Sequence, residues 1–301
     1  LLEKFRQLGH EVIVLFGDFT ARIGDPTDEK STRKQLTKED VDNNVKVWKK
    51  LIAPLMDFDD KDNPPKIMYN SEWLAKLNLE DLISVAGNLT VQQMLERDMF
   101  KKRIAEGKPI HLHEFLYPLM QGYDSVAMEV DVELCGTDQI FNALVGRTLL
   151  KKLKNKDKCV VAVTLMENPK TGELMSKSKG TGVFLDVQPS DMFGQIMAQS
   201  DEMIEILFIN CTNLSIDEIK SIEINKNPRD AKMRLAFEVT KIFHGEKVAK
   251  QANDIFIKTF AKKENPDEMK EFDLVGKEII EVLLESGLVD SKSQARRDID
   301  G

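Results

Sequence analysis

The stretch EVDVELCGTDQIFNALVGRTLLKKLKNKDKCVVAVTL, residues 129–165, changes its hydrophobic period twice. Val130, Val132 and Leu134 alternate with Glu129, Asp131 and Glu133, the period of two that belongs to a strand with one buried face. After a glycine turn, Phe141, Leu144, Val145 and Leu149 recur at helical spacing, and CVVAVTL then forms a short apolar run. Strand, helix and strand in succession are the pattern of a parallel βαβ unit.

The flanking sequence extends this pattern. VIVLF, residues 12–16, ends at Gly17 and suits a strand buried on both faces of a parallel sheet. Thr37 with Asp40 reads as a capping pair ahead of Val45, Trp48, Leu51, Ile52 and Leu55 at helical spacing. NPPK reads as a loop, and NLEDLISVAG and TVQQMLERDMFKKRIAEG read as helices. Residues 1–186 are therefore expected to form an α/β domain on a parallel sheet. From residue 187 the pattern is helical, with a Ser215/Glu218 capping box and a long helix opened by Asn227 and Pro228. This gives an α-helical domain over 187–264. Residues 265–301 begin as a charged, proline-broken linker.

With 301 residues, 42% hydrophobic and 31% charged, the chain can bury a sizeable core in two or more domains. No apolar run approaches the roughly 18 residues of a membrane-spanning helix, and no signal-like leader opens the chain. A cytoplasmic protein without a membrane partner is expected. Cys135, Cys159 and Cys211 are widely spaced and odd in number, which suggests neither a disulfide framework nor a zinc site. His10, His111, His113 and His244 are too scattered to suggest a metal. The net charge of -8 argues against indiscriminate nucleic-acid binding and leaves room for a local RNA surface. Arg147, Lys151, Lys152, Lys154, Lys156 and Lys158 read first as the solvated face and end of a helix, and second as an RNA contact. The chain opens at Leu1 on what reads as mid-helix and stops after SKSQARRDIDG, so it reads as a piece of a longer protein.

Four stretches carry candidate chemistry. GDFTARIGDPT, residues 17–27, follows the first apolar run, where open α/β sheets bind their ligands. Asp25 could hold an ammonium and Thr20 could approach a nucleotide, or Gly-Asp-Pro could be a simple turn. In FLYPLMQGYDS, residues 115–125, Tyr117, Gln121 and Asp124 share one helical face. They form either a recognition surface for a small zwitterion or aromatic hydroxyl, or a solvent face. In CGTDQ, Gly136, Asp138 and Gln139 stand at a strand-to-helix junction suited to a ribose or an anion, and helix capping explains them about as well. GELMSKSKGTG holds Ser176, Lys177, Ser178 and Lys179 between glycines, as either a solvated turn or a mobile clamp for a polyphosphate.

In this order and separation, GDFTARIGDPT, NSEW, FLYPLMQGYDS, CGTDQ and LMSKSKG resemble bacterial tyrosyl-tRNA synthetase, a class I aminoacyl-tRNA synthetase, over nearly the whole chain. The resemblance implies a Rossmann-like nucleotide-binding domain, here N-terminally truncated, followed by a helical anticodon-side domain and the start of a C-terminal RNA-binding module. It implies ATP with Mg²⁺ and L-tyrosine as small ligands, tRNA(Tyr) as partner, and a homodimer. Asp25, Tyr117 and Gln121 match residues that hold the tyrosine ammonium, Asp124 the acceptor of the phenol hydroxyl, and Asn70 and Gln139 further pocket residues. Gly136 and Asp138 match ribose contacts, Thr20 lies beside the phosphates, and Ser176, Lys177 and Ser178 belong to the loop that grips pyrophosphate. No protein metal site is implied.

Departures accompany the matches. The family's HIGH-type motif would lie upstream of Leu1, so the chain as given is expected to form adenylate poorly. Leu174 stands at the usual first lysine of the loop, and Asp28 and Glu29 stand where Gly and Lys are usual. The related tryptophanyl enzyme is one alternative, disfavoured by the Asp124 stripe. A non-catalytic RNA-binding protein derived from the scaffold is another.

Overall fold

A computed structural model of the chain describes residues 1–22, 37–175, 180–261, 276–289 and 291–300. Strand β1 (Ile13–Phe16) follows helix α1 (Leu2–Gln7) and pairs in parallel with β2 (Lys66–Tyr69), with Ile13 opposite Lys66. Helix α2 (Lys38–Ile52) lies between them and is opened by a Thr37/Asp40 capping box, as the sequence suggests. Four short helices follow β2: α3 (Ser71–Leu74), α4 (Leu79–Ala86), α5 (Val91–Leu95) and α6 (Asp98–Ala105). The stretch TVQQMLERDMFKKRIAEG, which reads as one helix, is thus two, α5 and α6, separated by Glu96 and Arg97.

Helix α7 (Leu112–Met128) then leads into β3 (Val132–Gly136), α8 (Ile140–Lys154) and β4 (Cys159–Val163). β3 and β4 are parallel, with Val132 opposite Cys159, so the βαβ reading of residues 129–165 holds. Among the described residues the strands form two separate parallel pairs, β1–β2 and β3–β4, rather than one continuous sheet. A cleft lies between the pairs, bordered by residues of β1 and β3.

Helices α7 and α8 pack closely because two glycines face across them. A Cβ on Gly122 would stand 2.9 Å from a Val145 methyl and 3.2 Å from the Gly146 nitrogen. Val85, Leu119, Val126, Val145, Leu149 and Leu150 form the core beneath this pair. The start of α7 is fixed by Glu114, buried at 6% exposure, which accepts from Arg103 Nη2 at 3.0 Å and from the His111 amide at 2.9 Å.

The second half is helical: α9 (Pro189–Met197), α10 (Ile204–Cys211), α11 (Ile216–Ser221), α12 (Pro228–His244) and α13 (Glu246–Phe256). The helix that opens at Asn227 breaks at Gly245, whose φ of +83° lies in the region that favours glycine. Met192, Phe193, Ile204, Phe208, Leu235 and Ala252 build a separate core here, and Met175, Val183, Leu185 and Val187 pack against it. Beyond it lie α14 (Ile279–Glu285) and α15 (Lys292–Asp300). No helix among the described residues is long and apolar enough to cross a membrane.

Candidate active site

The cleft between the strand pairs has a volume of about 750 Å³ and is lined by Gly17, Thr20, Asn70, Tyr117, Gln121, Asp124, Gly136 and Gln139, among others. Six residues singled out from four separate stretches of sequence, Thr20, Asn70, Tyr117, Gln121, Asp124 and Gln139, thus converge on one cavity, with Gly136 at its edge. Each arrives at the end of a strand or on α7: Thr20 just after β1, Asn70 just after β2, and Gln139 in the single turn after β3. The polar stripe of α7 therefore faces the cleft, and the solvent-face reading of it fails. Asp25 and residues 176–179 lie outside the described residues.

Asp124 is the electrostatic centre of the cleft. It is 4% exposed. Its Oδ1 accepts from Trp73 Nε1 at 2.7 Å and its Oδ2 from Asn70 Nδ2 at 3.3 Å. Burial pushes its carboxyl up to about 7, the hydrogen bonds from Trp73 and Asn70 pull the other way, and the charges of Glu133 and Asp18 add to the rise. Asn70, itself 1% exposed, is held by the Phe19 amide, which donates to Oδ1 at 2.9 Å, and gives a second N–H to Thr20 Oγ1 at 3.1 Å. The Thr20 hydroxyl in turn donates to the Gly17 carbonyl at 3.2 Å, so its proton is turned inward and braces Asn70. Trp73 closes the NSEW stretch, but nothing in the sequence ties its indole to Asp124, 51 positions away.

At the other end of the cleft, Gly136 lets the chain approach closely. A Cβ there would stand 2.5 Å from Asp138 Oδ1 and 3.0 Å from a Leu165 methyl. Asp138 is exposed and accepts from Gln139 Nε2 at 3.0 Å. It caps neither the turn Thr137–Gln139 nor α8, so capping does not account for it. Asn142, which carries no signal in the sequence, bonds both Gln121 and Gln139 from the first turn of α8.

A second buried network lies behind Asp124. Lys158, expected on a solvated face, has a fully buried side chain instead, with Nζ donating to Ser125 Oγ at 2.6 Å and to Glu133. Burial pulls its ammonium below the usual lysine range against the attraction of Glu133. Of the other lysines in that run, Lys151, Lys154 and Lys156 pair with Asp157, Glu129 and Asp131 at 2.8–2.9 Å. Ahead of residues 176–179, Leu174 bridges Glu167 in antiparallel fashion, Asn168 Nδ2 donates to Ser200 Oγ at 3.0 Å, and Lys170 pairs with Glu202. The segment entering the candidate loop is thereby tied to the helical half.

Residues 1–261 match the family model of the class I tRNA synthetases (W and Y). Among curated relatives, a tyrosine–tRNA ligase of Haemophilus influenzae is 46% identical over 302 residues, covering 98% of this chain and 74% of the relative. One from Carboxydothermus hydrogenoformans is 43% identical over 309 residues, with 98% and 74% covered. Among solved structures, tyrosyl-tRNA synthetase of Archaeoglobus fulgidus complexed with L-tyrosine superposes with a TM-score of 0.63 at 19% identity, covering 84% of this chain and 83% of that one. The C-terminally truncated mitochondrial enzyme of Aspergillus nidulans gives 0.65 at 23% identity, with 85% and 78% covered. These structures share the fold, and the named relatives are tyrosine rather than tryptophan ligases. The chain therefore belongs to the class I aminoacyl-tRNA synthetases of the tryptophan and tyrosine group, and within it to the tyrosine–tRNA ligases.

Proposed function

We propose that the cleft takes L-tyrosine against α7 and ATP across Gly136 and Asp138, forms tyrosyl-adenylate, and passes the tyrosyl group to tRNA(Tyr). The observation that carries this reading is Asp124, a carboxylate buried at the cleft with one fixed donor on each oxygen. Each oxygen keeps a further lone pair, so the group can accept from a phenol hydroxyl, a donor that a phenyl ring lacks and that an indole, whose one N–H lies on its five-membered ring, would not bring to the same point. Asn70 and Thr20 hold that carboxylate in place. Tyr117 and Gln121, earlier on the same face of α7 than Asp124, would meet the amino acid's polar end, where Asp25 and Gln139 would join them.

In the first step a tyrosine carboxylate oxygen attacks the α-phosphorus of ATP and the bond to the β-phosphate bridging oxygen breaks, releasing pyrophosphate. In the second, a terminal ribose hydroxyl of the tRNA attacks the activated carbonyl, its proton is lost to solvent or phosphate, and AMP departs. Neither step requires an enzyme nucleophile, so catalysis is positioning and stabilisation of charge on the leaving group. Ser176, Lys177 and Ser178 would supply that charge stabilisation from their loop. Among the described residues no group of three His, Cys, Asp or Glu could hold a metal ion. Mg²⁺ would arrive on the ATP phosphates.

Residues 1–186 would act as the catalytic domain, 187–264 as the anticodon-side helical domain, and 265–301 as the linker and start of an RNA-binding module, in a cytoplasmic homodimer. Leu79, Ile83, Val91 and Leu112, on α4, α5 and α7, are each at least 64% exposed and are apolar side chains that self-association could cover. The test is ATP–pyrophosphate exchange by the full-length protein. Exchange that requires tyrosine, is not supported by tryptophan and collapses in Lys177→Ala supports the reading. Exchange driven by another amino acid, or RNA binding without any exchange, overturns it.

A further inference from the structure

Both glutamines that border the cleft are held by a single side chain. Asn142 sits in the first turn of α8 and is 1% exposed. Its Nδ2 donates to Gln121 Oε1 at 2.7 Å and to Gln139 Oε1 at 2.9 Å. Gln121 belongs to α7 and Gln139 to the turn after β3, so this amide joins the amino-acid side of the cleft to the β3 side. Its own Oδ1 is buried and has no partner among the described residues.

That orphan oxygen is informative. An asparagine kept only to satisfy its surroundings would use its carbonyl, because a buried unsatisfied acceptor costs stability. Here the carbonyl is left unused while both N–H groups are committed to the two glutamines. The arrangement fixes amide polarity. Each glutamine carbonyl is turned toward Asn142 and, having two lone pairs, has the capacity for a second donor, while Gln139 directs its N–H to Asp138 at 3.0 Å. Without the two donors, either glutamine amide could rotate and offer N–H where an ammonium needs an acceptor.

We infer that Asn142 is a positioning residue for the amino-acid subsite, setting the orientation of Gln121 and Gln139 together without itself touching the substrate. The inference rests on the proposed tyrosine-binding role of the cleft. It predicts an unusual pairing of effects for Asn142→Leu, which keeps the volume and removes both donors. The KM for tyrosine in ATP–pyrophosphate exchange should rise about 10- to 100-fold, with the KM for ATP nearly unchanged. The melting temperature should stay level or rise, because the orphan carbonyl is gone and the glutamine oxygens can take water from the cleft.

The experiment is that exchange assay on the full-length protein, with Asn142→Leu, Asn142→Ser, Gln121→Ala and the double variant Asn142→Leu/Gln121→Ala. Effects on tyrosine KM that are clearly less than additive in the double variant support the inference, because Asn142 would then act through Gln121. Should Asn142→Leu fail to fold, Asn142→Ser, too short to reach both glutamines, should still raise tyrosine KM selectively. A tyrosine KM within about twofold of the native value, or full additivity with Gln121→Ala, overturns it and leaves Asn142 a packing residue. Native protein with no tyrosine-dependent exchange would instead overturn the proposed function, and this inference with it.

Discussion

Replacing Asp124 by asparagine should make the protein's stability less sensitive to pH, in a direction opposite to that of most native carboxylates. Burial lifts the Asp124 carboxyl from its ordinary 3.8 to about 7. Between those values the native state keeps a proton that the unfolded chain gives up. Stability therefore falls as pH rises through this window and levels off above it. At about 1.4 kcal/mol per pH unit, the gap amounts to about 4 kcal/mol in total, of which about 3 kcal/mol is lost between pH 5 and pH 8. The uncharged amide of Asp124→Asn has no such dependence. It would place an N–H or a carbonyl against Asn70 Nδ2, whose other contacts with Thr20 and Phe19 hold it in place, so the variant starts with a fixed offset. Because that offset does not change with pH, the informative quantity is the difference in unfolding free energy, variant minus native. Urea unfolding at half-unit steps from pH 5 to pH 8 should show that difference rising by about 3 kcal/mol. Parallel curves for the two proteins would refute the reasoning, and with it the assignment of Asp124 as a costly buried acid kept for function.

Three further outcomes follow from the same geometry. Trp73→Phe removes the 2.7 Å donor to Asp124, so the carboxyl should rise further and tyrosine KM should increase about 10-fold, most strongly just above neutral pH, where the native group has lost its proton and the variant's has not, as a KM–pH profile would show. Gly146→Ala would bring a methyl within 2.5 Å of Ser125 Oγ and 2.8 Å of Lys158 Nζ, and should cost about 1–3 kcal/mol in denaturant unfolding. Lys158→Met leaves Glu133 without its ammonium partner and should cost about 3 kcal/mol, while Lys158→Met/Glu133→Leu should recover most of it, measured by the same unfolding assay.

Much of the fold is legible in the sequence because its periods are clean. The βαβ unit of residues 129–165, the Thr37/Asp40 and Ser215/Glu218 boxes and the cap before Pro228 all lie where local pattern and structure agree. Strand β2 does not announce itself, since Lys66–Tyr69 has four residues and only Ile67 and Met68 are aliphatic. Its strand character comes from pairing with β1. The helix breaks at Glu96–Arg97 and Gly245 are hidden by apolar spacing that continues across them, where tertiary packing decides.

The site divides along similar lines. Tyr117, Gln121 and Asp124 are readable because one helix carries all three on a single face, and Gly136 through Gln139 because a strand end hands over to a helix. The supporting groups are not. Trp73 reaches Asp124 across 51 positions of sequence, Lys158 reaches Ser125 across 33, and Asn142 reaches Gln121 across 21. An indole, a lysine at the end of a basic run and an asparagine in a helix each have a more ordinary meaning when read alone. Only tertiary structure turns them into braces for the residues that sequence does reveal.

The central claim is that the buried carboxylate of Asp124 selects tyrosine by its hydroxyl. The most direct test is the ratio of kcat/KM for tyrosine to that for phenylalanine in ATP–pyrophosphate exchange, measured at pH 8 for the native full-length protein and for Asp124→Asn. Loss of a hydrogen bond to a buried charge is worth about 1.5–3 kcal/mol, so the ratio should fall roughly 10- to 150-fold in the variant, mainly through poorer use of tyrosine. A ratio unchanged by Asp124→Asn would contradict the account and place the recognition of the hydroxyl elsewhere in the cleft.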